Sequence, residues 1–211
     1  ESVLVRSPIT CTTAEGLCSR CYGVELSRWS PATLYLPVGV IAAQSLGEPL
    51  TQLTMRTFAL TGHRRHAHFA DILSSLPGLE ELYEAGKQPG REESELRAVL
   101  NERLAKEGCQ GAGSYLLDAM LSHYRDLGVP LDDRHLEVVI RQMVRVEDGT
   151  VRGVTEVASQ GGDFLTAAAA FGGAAALADA AARGRTMPLN GVASSTAMGK
   201  LMPARVPATA L

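Results

Sequence analysis

Aromatic residues make up only 5% of this 211-residue chain, although 45% of it is apolar. The length suffices for a buried core, but few large side chains are there to fill it. No run of about 18 uninterrupted apolar residues occurs, and the N-terminus lacks the charged-then-apolar layout of a secretory signal. A soluble, cytoplasmic protein with no membrane partner is therefore expected. Excess positive charge is missing too: 20 basic residues face 23 acidic ones, for a net charge of -3. This balance argues against a wholly basic nucleic-acid coat and leaves a local basic patch open. No internal repeat is visible. The chain opens on Glu1 rather than methionine, so a piece of something longer is expected.

Cysteine is scarce but clustered. Three of the four cysteines stand in "CTTAEGLCSRCYG", where Cys18 and Cys21 form a C-x2-C and Cys11 lies seven residues upstream of Cys18. Paired thiolates on a tight turn, with Gly16 and Gly23 to relax the backbone, suit tetrahedral zinc. The same thiolates can also hold iron, and three free thiols in a reducing cytosol are the plain alternative. A closed structural site needs a fourth ligand. Cys109 stands near a helix end with no neighbouring ligand, so the fourth is expected outside the chain.

Periodicity predicts a mainly α chain with small β or irregular elements. Loops and short strands are expected around the cysteines in residues 1 to 30. A small-residue helix "LPVGVIAAQSLG" follows, stopped by Gly47 and Pro49. A second helical segment runs from Thr51 to Phe58, with Leu53 and Thr57 on one side and Gln52, Met55 and Arg56 on others. Further helices are predicted around Leu79 to Ala85, across "REESELRAVLNERLAKEG" with Leu96, Val99, Leu100 and Leu104 on one face, from Ser114, and from Asp132. The turn "EDGT" between valines predicts a small hairpin near residues 144 to 154. The alanine-rich stretch after Asp163 is expected to be helical and interrupted at Gly172 and Gly173.

Taken in order, "SPITC", "GLCSRCYG" and "VGVIAAQSLGEPLTQLTMRTF" resemble the zinc-binding clamp element and trigger-loop entry of the bacterial RNA polymerase β′ subunit. "DILSSLPGLEELYEA", "YRDLGVPLDDRHLEVVIRQMVR" and "GKLMPA" resemble later segments of the same family. The resemblance implies a zinc-binding clamp element in residues 1–34, a trigger-loop region in 35–76, a helical region in 77–146 and a C-terminal clamp-base segment in 147–211. It implies that Met55 packs on an incoming base, that Arg56 meets the phosphates and that Gln52 lies near the ribose. For Met55 taken alone, core packing is the plainer expectation.

The chain departs from the family where it matters. Ala59 replaces the usual histidine after the Thr-Phe pair, and Leu50 replaces the glycine after Glu-Pro. His63 lies four residues beyond Ala59 and is the candidate substitute, with Arg64 beside it. "HRRHAH" otherwise reads as a solvated tip, and a separate zinc site at His63, His66 and His68 lacks a fourth ligand. The family's aspartate-rich magnesium loop is absent, so Mg2+ must be held by a partner region. Implied partners are other β′ and β portions, α and ω subunits, DNA template, RNA and a nucleoside triphosphate. Two alternatives stand beside synthesis: a degenerate homologue that assembles or regulates, and a free zinc-containing nucleic-acid-binding module. The second lacks interleaved aromatics for base stacking.

Overall fold

Leucine, alanine and methionine recur at three- and four-residue spacing through most of the chain, and helices are what such spacing builds. The computed structural model describes residues 3, 5–13, 16–33, 36–60, 76–87, 94–144, 149–160, 164–170, 172–187, 189 and 191–200. Among these, the cysteine run leads into a single helical turn, α1 (Ser19–Tyr22). A two-stranded antiparallel ribbon follows, β1 (Val24–Glu25) with β2 (Ser30–Pro31). Four helices come next: α2 (Val38–Leu60), α3 (76–83), α4 (Glu95–Asp126) and α5 (Asp133–Val144). Short helices complete the order: α6 (Val154–Gln160), α7 (Phe164–Ala170), α8 (Gly173–Ala182) and α9 (Val192–Ala197).

The centre is α5, with α4 and α2 packed against it. Leu136, Ile140, Met143 and Val144 of α5 form one stripe, and each is almost wholly buried. Facing them are Leu116, Met120 and Tyr124 of α4, a second stripe at four-residue spacing. From α3 come Leu79 and Leu82, and the Tyr83 hydroxyl meets that of Tyr124 at 2.9 Å. Burial pushes both phenols above their ordinary range. They hydrogen-bond as neutral groups. Truncating Leu136 to alanine is expected to lower unfolding free energy by about 2–5 kcal/mol, read as a shifted midpoint in urea at unchanged slope.

The turn from α4 to α5 is closed by Gly128 at φ 70°, where the Val129 N–H reaches back to the Tyr124 carbonyl at 2.9 Å. That bond pattern ends a helix on a left-handed residue. The same device closes α3. Ala85 takes the left-handed place, at φ 49°, and the N–H of Gly86 reaches the Glu81 carbonyl at 2.9 Å, so the helix ends at 83, just short of the expected Ala85.

Several expectations need correction. Gly47 and Pro49 do not stop a helix, for α2 runs through both. Proline removes the N–H that would bond the Ser45 carbonyl, yet Ala42, Leu46 and Leu53 are buried on one stripe, with Leu50 packed against the core. Packing on both sides of the proline outweighs the lost bond. Gly108 does break α4, at φ 71° and ψ -167°, but the next segment resumes at once rather than at Ser114. Ala112 and Gly113 are buried there, and a Cβ on Gly113 would lie 2.8 Å from Ile9 Cγ2. Close approach of the N-terminal loop thus fixes those residues as helix.

On α4, Val99 is 38% exposed instead of buried. The helix turns Arg97 inward in its place, where the guanidinium reaches Glu156 of α6 at 3.2 Å. Leu116 is fully buried, while its neighbour Leu117 packs only on the core margin. No strand forms at residues 149–153, and 145–148 lie outside the described residues. The Arg152 N–H bonds the Met143 carbonyl at 2.9 Å, but α5 keeps its helix to Val144 because Met143 and Val144 serve the core. The break between α7 and α8 stands where expected, at Gly172 with φ 90°.

Candidate functional site

Two arms of chain bring the cysteines together. In the first, Pro8 and Ile9 are buried beside α4 and the Cys11 N–H bonds the Pro8 carbonyl at 3.2 Å, which turns the Cys11 side chain inward. In the second, Cys18 precedes α1 in extended conformation and its carbonyl accepts from the N–H groups of Cys21 and Tyr22, both at 3.1 Å. One helical turn therefore sets Cys21 beside Cys18. Gly23, at φ 86°, then leaves the turn and donates to the Ser19 carbonyl at 2.8 Å; a side chain there would be strained.

The ligand atoms of Cys11, Cys18 and Cys21 lie within 4.8 Å of one another. Thiolates around a tetrahedral zinc, with metal–sulfur bonds of about 2.3 Å, stand about 3.8 Å apart. The cluster is thus near the right size. Cys11 and Cys21 are buried and Cys18 is half-buried, which leaves one side open to a fourth donor. Burial raises the Cys11 thiol, but hydrogen bonds involving the Cys18 backbone and the Thr13 side chain and backbone outweigh it and bring it to about 6. Burial, with Cys18 and Cys11 adding to it, pushes Cys21 up to about 12. One thiol ionises readily while its neighbour resists, because adjacent thiolates repel unless a cation sits among them. The donor set fits a thiolate-seeking metal ion, whose identity the geometry leaves to the ligand chemistry.

Cys109 is not among these three. It is exposed, and its thiol donates to the Val144 carbonyl at 3.4 Å. Two residues of the site escaped sequence reading. Arg134 and Arg141, seven apart on α5, bond backbone carbonyls on the two arms of the cysteine loop. Their spacing on one helix face was the available signal, but nothing in it points to a loop more than a hundred residues away.

On α2, Leu53 is buried while Gln52 and Met55 face outward. Met55 is 66% exposed, so it is no core residue here. The Gln52 amide donates to the Glu48 carboxylate at 3.1 Å. Arg56 and Ala59 belong to α2, but their side chains lie outside the described residues, as do His63, Arg64, His66 and His68 altogether. The hydroxyls of Thr51 and Thr54 donate to the carbonyls four residues back, Gly47 at 2.8 Å and Leu50 at 2.9 Å. Such back-bonding favours bending, and it flanks Pro49. Pro49→Ala is expected to stabilise α2 by up to about 3 kcal/mol, measured as a higher melting temperature and slower amide exchange in residues 45–53.

Among the described residues no helix is long and apolar enough to cross a membrane. The family model for RNA polymerase Rpb1, domain 5, matches residues 34–107. The β′ subunit of DNA-directed RNA polymerase from Clostridium beijerinckii is 30% identical over 295 residues, covering 97% of this chain and 25% of that subunit. The corresponding subunit of Caldicellulosiruptor saccharolyticus is 29% identical over 294 residues with the same coverage. That of Heliobacterium modesticaldum is 29% identical over 295 residues, again with the same coverage. These alignments are longer than the 211 residues of the chain, so the relatives carry segments that it lacks. The chain spans about a quarter of their length.

Proposed function

Since this chain is a divergent relative of the C-terminal part of bacterial DNA-directed RNA polymerase β′ subunits, we propose that it supplies a moving lid and part of a zinc site to template-directed ribonucleotide addition. Similarity along 97% of the chain is the observation that carries this reading. In this division of labour residues 1–34 form a zinc-binding clamp element, 35–76 the trigger-loop region, 77–146 a helical support and 147–211 a packing base.

Met55 and Gln52 are exposed on α2, which supports giving them a role toward a nucleotide. Met55 would offer a polarisable thioether to the base face, Gln52 an amide to the ribose, and Arg56 a fixed positive charge to the triphosphate. Gln52 would have to exchange Glu48 for the ribose, a swap of one hydrogen bond for another. A bound zinc ion would cross-link the two arms of the cysteine loop and keep the clamp element folded. Cys11, Cys18 and Cys21 would hold it, with a fourth ligand from outside the chain. Magnesium, the bridge helix and most of the DNA channel would belong to other β′ and β portions, with α and ω completing the assembly on template DNA and RNA.

Ala59 favours a second reading. A residue that neither donates a proton nor carries charge stands where the resembled family has histidine, as a homologue that assembles or regulates without synthesis would allow. Purification of the tagged chain with its partners, followed by template-dependent incorporation of labelled ribonucleotide, separates the two. Incorporation that depends on the chain is expected. A stable complex with intact magnesium-binding partners and no incorporation would establish the second reading instead.

A further inference from the structure

The three thiols come together from two arms of one loop, so contacts elsewhere in the fold must hold those arms side by side. Backbone turns account for the Cys18–Cys21 pair, which sits within a single helical turn. The Cys18 backbone also bonds the Cys11 thiol, but that contact joins the arms only at the sulfurs and does not anchor the loop to the rest of the fold. The side chains that reach both arms come from α5. Arg141, buried, donates from Nη2 to the Thr13 carbonyl at 2.7 Å and the Cys11 carbonyl at 3.4 Å. Arg134 donates from Nη1 to the Val24 carbonyl and, at 3.5 Å, to that of Tyr22, and its guanidinium lies 5.5 Å from the Tyr22 ring centroid. Asp132 fixes Arg134 in turn, accepting from its Nε at 2.9 Å.

From this geometry we infer that Arg134 and Arg141 form a bracket on α5 that positions the cysteine loop for its metal ion, each guanidinium gripping one arm. Seven residues are close to two helical turns, so the pair shares a face and spans about 10 Å along the axis. That separation matches a loop whose two arms must be held side by side rather than at one point. Guanidinium suits the task because it presents several donors in a rigid fork to more than one carbonyl at once. Neither arginine touches a sulfur in this arrangement. Both are positioning residues, and they act by lowering the conformational freedom the loop loses on binding. Linkage makes the effect reciprocal: if the bracket strengthens metal binding, metal binding must steady α5 by the same factor.

The inference rests on the metal part of the proposed function and is independent of RNA synthesis. It is tested on the full 211-residue chain by titration with Co2+, followed through thiolate-to-cobalt absorption, and by competition with Zn2+. Arg134→Ala and Arg141→Ala are each expected to weaken binding by about 10- to 100-fold. Arg134→Lys, which still donates to a carbonyl, is expected to restore part of the loss. Added Zn2+ is expected to slow amide exchange in residues 134–144 of the unaltered chain. General destabilisation would lower the melting temperature of the metal-free variants but leave affinity intact where they remain folded. Should Arg141→Ala not fold, the more exposed Arg134 decides alone. Affinity within twofold of the unaltered chain, with an unchanged spectrum, overturns the bracket. No thiolate band in the unaltered chain, either by itself or purified with the partners that can supply the fourth donor, overturns the metal reading itself, and the two failures are thus distinguishable.

Discussion

Arg56→Ala is expected to slow nucleotide addition on the order of 10²- to 10³-fold in the assembled polymerase, with little change in complex formation. The expectation follows from the proposed place of the residue in the lid. Negative charge redistributes over the phosphoryl oxygens as the bond to the leaving group breaks, and a pre-positioned cation lowers that barrier without reorganising. Ala59 sharpens the effect, since no ionisable group stands three residues further along the helix to share the load. Lysine at position 56 should recover part of the rate, as it restores charge but not the fork. Single-turnover addition at saturating nucleotide is the measurement, since it separates chemistry from binding. A rate within twofold of the unaltered complex would remove Arg56 from the mechanism.

Cys21→Ser is expected to weaken zinc binding by about 100- to 1,000-fold. Structural zinc sites gain about 10–16 kcal/mol in binding, and a quarter of that, about 2.5–4 kcal/mol, corresponds to roughly two to three orders of magnitude. A serine hydroxyl is too weak an acid to replace the thiolate at neutral pH. Because Cys21 is buried at the end of α1, next to Tyr22 and the ribbon, metal loss should also loosen that segment. Thermal unfolding with and without added zinc gives the second readout: the stabilisation by metal, which grows with the ratio of free zinc to its dissociation constant, should largely disappear. Cys109→Ser is the matched control. That thiol bonds the Val144 carbonyl and belongs to no ligand cluster among the described residues, so zinc affinity should not move. A shift as large as that for Cys21 would show that the cysteine assignment is wrong.

Local chemistry was legible where it is dictated over short distances. Cys18 and Cys21 had to be neighbours, because one turn separates them. Gly86, Gly108, Gly128 and Gly172 mark helix ends or breaks in the chain and adopt positive φ in the structure, since glycine meets that conformation at little steric cost. The helix expected from Asp132 forms as α5, Asp133–Val144. Pro49 misled because proline's local cost is only a few kcal/mol, an amount that burial of Leu46 and Leu53 on either side can offset. Val99 misled for a related reason. The buried Arg97–Glu156 pair rotates α4, and a contact fifty-nine residues distant leaves no trace in helical periodicity.

By itself, then, the sequence determined that the chain is mainly helical, that helices end or break at glycines such as Gly128 and Gly172, which thiols are adjacent and which family the chain resembles, because each of these depends on residues within a few turns of one another. Only the tertiary structure decided that α2 continues through its proline, that Leu53 rather than Met55 is buried in the core and by what path the arm of Cys11 reaches the other two thiols. It also decided that two arginines of α5 hold the loop. Those outcomes arise from packing and hydrogen bonds between segments up to 130 residues apart, whose energies are set by proximity in space rather than along the chain.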